Sequence, residues 1–73
     1  MSVVLVVTNS ADEKVRLINC ENTEDALKRM ESMFRVMCFD GCCDYNNTYL
    51  DKKSQYAQVV DGFSQTEMRI GVL

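Results

Sequence analysis

Thr23-Glu24-Asp25-Ala26-Leu27-Lys28-Arg29-Met30-Glu31-Ser32-Met33-Phe34-Arg35-Val36-Met37-Cys38 is the stretch on which the reading of the fold turns. Its apolar side chains fall at Ala26, Leu27, Met30, Met33, Phe34, Met37 and Cys38, the three-and-four spacing of one stripe along an α-helix. Asn22 or Thr23 can cap the start, because a short polar side chain there accepts a hydrogen bond from an otherwise unpaired backbone N–H. Glu24 and Asp25 lie in the first turn, where the positive end of the helix dipole favours acids. Gly41 is placed to end the helix in a left-handed conformation. Lys28, Arg29, Glu31, Ser32 and Arg35 fall on the wet side. Local signals agree along the whole segment.

Toward the N-terminus the period changes from helical to extended. Val3 to Val7 is a run of β-branched residues with one leucine, too short for a helix. No positive stretch precedes it and no small-residue cleavage site follows, so it reads as a strand rather than a signal peptide. Asn9-Ser10-Ala11-Asp12 is a group of turn formers, and Lys14 to Cys20 is a second strand. In that strand Val15 and Leu17 share one face, and Arg16, Ile18 and Cys20 the other. Toward the C-terminus, Cys42 to Ser54 reads as a polar connection of about a dozen residues, long for a compact domain. Gln55 to Val60 and Thr66 to Val72 form a closing hairpin around Asp61-Gly62-Phe63-Ser64-Gln65. The expectation is a single α+β domain over residues 1–73. Its order is ββαββ: a four-stranded antiparallel sheet with one helix across one face.

One helix covers one face, yet the first strand is apolar on both: Val3, Leu5 and Val7 on one side, Val4 and Val6 on the other. Val4, Val6 and Ile18 are therefore assigned to an uncovered face, where the chain meets a partner or a second copy of itself. Tyr45, Tyr49 and Tyr56 lie in or beside the long connection, interleaved with Asn46, Asn47 and Lys52. Tyrosine offers contact area at little entropic cost while asparagine and lysine give direction, so Tyr45, Tyr49, Lys52 and Tyr56 complete the expected contact surface. The competing reading is that Tyr49, Leu50 and Tyr56 simply pin the loop over the core. The Met30, Met33 and Met37 stripe reads as core rather than as an adaptable groove.

Composition narrows the chemistry. The chain has 73 residues, no proline, no histidine and a net charge of −3. A domain this small buries only about 60 % of its unfolded surface, a gap that small scaffolds close with disulfides, a metal or self-association. Its basic residues are scattered along the sequence, so direct nucleic-acid binding is not expected. No apolar run is long enough to cross a membrane. Without histidine the usual general base near neutral pH is missing, and no catalytic residues are assigned. Cys20, Cys38, Cys42 and Cys43 could in principle bind zinc. A helix of about 16 residues spans roughly 24 Å, however, and separates Cys20 from the other three. Cys20 and Cys38 read instead as small core residues, and Cys42 and Cys43 as reduced loop thiols. No cofactor is expected.

In size, acidity and element order the chain resembles small acidic orphan proteins of Firmicutes phages and mobile elements. The corresponding parts are the hairpin from Val3 to Cys20, the helix opening at Thr23-Glu24-Asp25-Ala26, the connection through Tyr49-Leu50-Asp51, and the segment from Gln55 to Val72. The resemblance implies a cytoplasmic protein of a bacterial host cell, an accessory that interferes with host defence, and it transfers no functional residue. The expected function is non-enzymatic: occupying the surface of a host protein. One alternative is a homo-oligomer that captures a small ligand such as a nucleotide signal through Tyr45, Tyr49, Lys52 and Arg69. Another is a cysteine-based metal-binding regulator.

Overall fold

The computed structural model describes residues 2–39, 43–62 and 64–73. Strand β1 (Val3–Asn9) turns back into β2 (Val15–Cys20), helix α1 (Thr23–Phe39) crosses the sheet, and β3 (Tyr49–Asp51), β4 (Tyr56–Val60) and β5 (Gln65–Val72) follow. The five strands form one antiparallel sheet in the order β2-β1-β5-β4-β3. This corrects the four-stranded expectation. The additional strand, β3, lies inside what reads as a polar connection. Three residues are too few for alternation to stand out in sequence, and Tyr49 to Asp51 becomes a strand by pairing with Tyr56 to Gln58. Described residues ahead of β3 in that connection are also hydrogen-bonded. Asp44 N–H donates to Val60 O at 2.6 Å, and the Asp44 side chain accepts from Asn46 N–H at 3.0 Å and Asn47 Nδ2 at 2.8 Å.

The helix begins as its sequence dictates. Asn22 Oδ1 accepts from Asp25 N–H at 2.8 Å, and Asp25 Oδ2 reaches back to Glu21 N–H at 3.1 Å. Two backbone donors are thereby satisfied reciprocally, in the manner of a capping box. The expected end at Gly41 lies outside the described residues. The first hairpin turns through Glu13, which adopts a positive φ of 55°. Asn9 and Asp12 side chains tie that turn by accepting from Ala11 and Lys14 N–H at 2.8 and 2.9 Å. The turn sets the register Leu5↔Ile18 and Val7↔Arg16.

Leu5, Val7, Met30, Ala57 and Met68 form the core between helix and sheet, with Ile18, Cys20, Met33, Phe34, Met37, Leu50 and Ile70 packed around them. Full burial of a side chain such as Leu5, Met30 or Met68 stabilises by about 1.5–3 kcal/mol. The helix lies mainly over β1, β5 and β4 and only grazes β2. Strand β2, at the sheet edge, is accordingly exposed over most of its length. The described residues thus leave two surfaces without cover: the sheet face opposite α1, and the side of β2 that α1 does not reach.

Candidate functional site

Register and alternation place the side chains of the open face in rows across the strands. One row runs Leu17, Val6, Arg69, Tyr56, Asp51; the next runs Val15, Thr8, Glu67, Gln58, Tyr49. Apolar surface gathers at the β2 end, where Val15 is 63 % and Leu17 54 % exposed. At the other end Tyr49, 48 % exposed, stands against Tyr56 with ring centroids 5.9 Å apart and planes tilted by 43°. Arg69 lies beside Tyr56 and Val6 in the register, between the two apolar ends.

Hydrogen bonds hold the tyrosine end in place. Tyr56 Oη donates to Gln58 Oε1 at 3.0 Å, and Gln58 Nε2 donates to Asn47 O at 2.6 Å. Gln65 Nε2 bridges to Glu67 Oε1 at 3.0 Å. Thr48 Oγ1 accepts from Val60 N–H at 3.0 Å. Burial pushes the Tyr56 phenol above its ordinary range, and the adjacent Glu67 carboxylate raises it further by hydrogen bonding and charge; Arg69 acts weakly the other way. Tyr56 is thus a fixed hydrogen-bonding group rather than a proton carrier near neutral pH.

Several sequence-based assignments need correction. Ile18 is not on the open face: it pairs with Leu5 and packs against the core beneath the helix. The open-face residues of β2 are Val15 and Leu17, one alternation step away. Val4 does lie on the open face but is only 1 % exposed and has no area to offer a partner. Gly71, opposite Val4 in the register, has no side chain to hold its neighbours apart. Cγ2 of both Val4 and Val6 lies 3.6 Å from the point a Cβ there would occupy. Val6 is half-buried. Tyr45, 75 % exposed, stands apart in the Asp44 turn, outside both tyrosine-bearing strands. Lys52 occupies the β3–β4 turn on the helix side, with Nζ 3.3 Å from Glu31 Oε2. Tyr49, Tyr56 and Val6 therefore share a face, while Ile18, Tyr45 and Lys52 lie elsewhere.

The cysteines are arranged differently from a loop cluster. Cys20 packs against the core and its Sγ contacts Ile18 O at 3.4 Å. Cys43 is buried rather than a loop thiol, held where Cys43 bridges to Asp61. Burial pushes the Cys38 thiol up, and a hydrogen bond with the neighbouring Cys43 thiol raises it further. That disfavours the thiolate, the form that attacks electrophiles or binds metal. Cys42 and Phe63 lie outside the described residues. Among the described residues no group of three or more cysteines and carboxylates is placed to hold a metal ion. No helix among them is long and apolar enough to cross a membrane.

On the helix side two open clefts adjoin at Met33. One, of about 260 Å³, is lined by Val7, Asn9, Asp12, Lys14, Arg16, Met37 and Thr66; the second, of about 290 Å³, by Ile18, Lys28, Arg29 and Ser32. Sequence reading missed this surface, because residues 14–16 and 28–29 look scattered until the fold sets them on two sides of one groove.

No protein-family model, curated protein or solved structure matches the chain.

Proposed function

We propose that the chain is a non-enzymatic binding domain that occupies the surface of a protein partner with the open face of its sheet. The observation that carries this reading is the combination of exposed Val15 and Leu17 with the Tyr49–Tyr56 ring pair, whose Tyr56 is hydrogen-bonded to Gln58, on one face that the helix leaves bare. Large side chains held rigid before binding lose little entropy on contact, and aromatic and arginine anchors dominate protein interfaces. Arg69, between the two apolar ends, supplies the polar centre. A cytoplasmic host protein as the partner follows from the resemblance to mobile-element proteins alone. The small-ligand alternative draws less support, because Tyr45 and Lys52 do not converge with Tyr49 and Arg69.

The test is capture from a bacterial host lysate by the wild-type chain and by Leu17→Asp, with circular dichroism to verify folding. Leu17 is more than half exposed, so the variant keeps its structure while placing a charge in the contact. The expected result is a partner retained by the wild type and lost by the variant. Equal retention by both would remove the open face as the contact surface. Light scattering on the purified chain separates this reading from self-association: a monomer is expected, and a dimer dissolved by Leu17→Asp would make the face an interface between copies.

A further inference from the structure

We infer that the groove between α1 and β2 takes an extended, acidic segment of another protein, added to the sheet as a strand alongside β2. This goes beyond the open-face reading and is tested separately through the groove cations, which lie on the opposite side of β2 from Val15 and Leu17, although a guest strand would also touch those two residues at the edge. Three observations carry it.

First, β2 is a free edge. It terminates the sheet, runs for six residues and contains no proline. Its outward backbone N–H and C=O groups form a template for another strand. The opposite edge, β3, has only three residues and runs straight into a turn bearing Lys52 and Lys53. Only β2 is long enough to pair with a guest.

Second, the space beside this edge is already a groove. The two clefts joined at Met33 run along the side of β2 that α1 leaves open, with Ile18 and Met33 as an apolar floor. A guest strand on β2 would direct alternate side chains into it.

Third, the charge is reversed relative to the molecule. The chain carries −3 overall, yet Lys14 and Arg16 line one cleft, with Asp12 its one acid, and Lys28 and Arg29 line the other, so half of the eight basic residues face a single carboxylate there. Arg16 contacts Asp12 at 3.5 Å and Arg29 contacts Asp25 at 3.3 Å. Among the described residues Lys14 and Lys28 have no ion-pair partner. Acidic side chains are the complement, and opposite charges across neighbouring strands stabilise pairing. The guest alternates: carboxylates toward the groove cations, apolar residues toward the side that carries Val15 and Leu17. A second copy fits this less well, because β2 (Val15-Arg16-Leu17-Ile18-Asn19-Cys20) has no carboxylate to offer the rim.

The probe is a fluorescein-labelled, end-capped heptapeptide alternating glutamate and valine, followed by anisotropy. Saturable binding that weakens with salt is expected, reduced about tenfold or more by Arg16→Glu combined with Lys28→Glu and unchanged by Lys53→Glu at the other edge. A peptide of the same composition with its glutamates in one block, and one N-methylated at alternate backbone positions, should each bind about tenfold more weakly, since the alternation and the backbone pairing are both lost. Equal binding of the blocked peptide, of a lysine–valine counterpart or of an oligothymidylate of the same length would overturn the inference. So would a dimer that closes the β2 edge. Loss of peptide binding with Leu17-dependent partner capture intact would remove the groove and leave the open-face reading standing; the reverse pattern would do the opposite.

Discussion

Tyr56 has a measurable signature at the level of single residues. Its phenol lies above the ordinary value of 10.0, through burial first and then the Glu67 carboxylate. A group whose folded pKa is raised holds its proton longer in the folded than in the unfolded chain. The stability it contributes is therefore complete below about pH 10 and is lost as pH rises through the folded value. Cys38, raised from 9.0 chiefly by burial, adds to the same alkaline loss. In a titration followed by phenolate absorbance, Tyr56 should ionise above the ordinary phenol range, and Tyr56→Phe should remove that late component. An alkaline end of the titration left unchanged by Tyr56→Phe would contradict the environment described. That Tyr56 and Gln58 share one face of a strand is legible from alternation; that Glu67 stands beside them is not, because it arrives from a neighbouring strand by a register only pairing defines. The same holds for Val4, whose alternation places it on the open face but whose burial shows only once its neighbours across the sheet are in place.

At the level of elements, local chemistry makes its own predictions. Asn22→Ala removes the acceptor for Asp25 N–H and should cost about 1 kcal/mol, read as a lower urea midpoint with unchanged slope. Gly71→Ala should act in the other direction. A Cβ there would meet Val4 and Val6 methyls at 3.6 Å, an ordinary contact. Removing glycine's freedom in the unfolded chain then gains about 0.4–1 kcal/mol by the same assay. A destabilised Gly71→Ala variant would mean that the row Asn19, Val4, Gly71 is tighter than described. The helix was legible because its stripe, cap and first-turn acids are all local. Strand β3 was not, since three residues carry no period. The parity of β2 escaped as well: alternation separates Val15 and Leu17 from Arg16 and Ile18, but the turn through Glu13 decides which pair meets the helix.

For the whole molecule, the decisive fact is how little core there is. The strand order brings β1 and β5, the first and last strands, side by side, so the sheet is complete only when the chain ends meet. Leu5, fully buried at this junction, pairs with Ile18 on one side and Ile70 on the other. Leu5→Ala should cost about 2–5 kcal/mol. Typical stability for 73 residues is roughly 4–11 kcal/mol. The variant should therefore melt far below the wild type by circular dichroism, in one cooperative step. Loss of helix and sheet at separate temperatures would show that the two are not one unit.

The element types, the helix start, the mostly apolar β1 and the absence of histidine are properties of residues and their near neighbours, so the chain determines them alone. Backbone period and side-chain chemistry act within a few residues and need no partner. The order β2-β1-β5-β4-β3, the inward turn of Ile18, the burial of Val4 and Cys43, and the gathering of Lys14, Arg16, Lys28 and Arg29 around one groove came only with the tertiary structure. Each depends on which strand pairs with which, and that choice is made by turns and by burial summed over the whole core rather than at any one position.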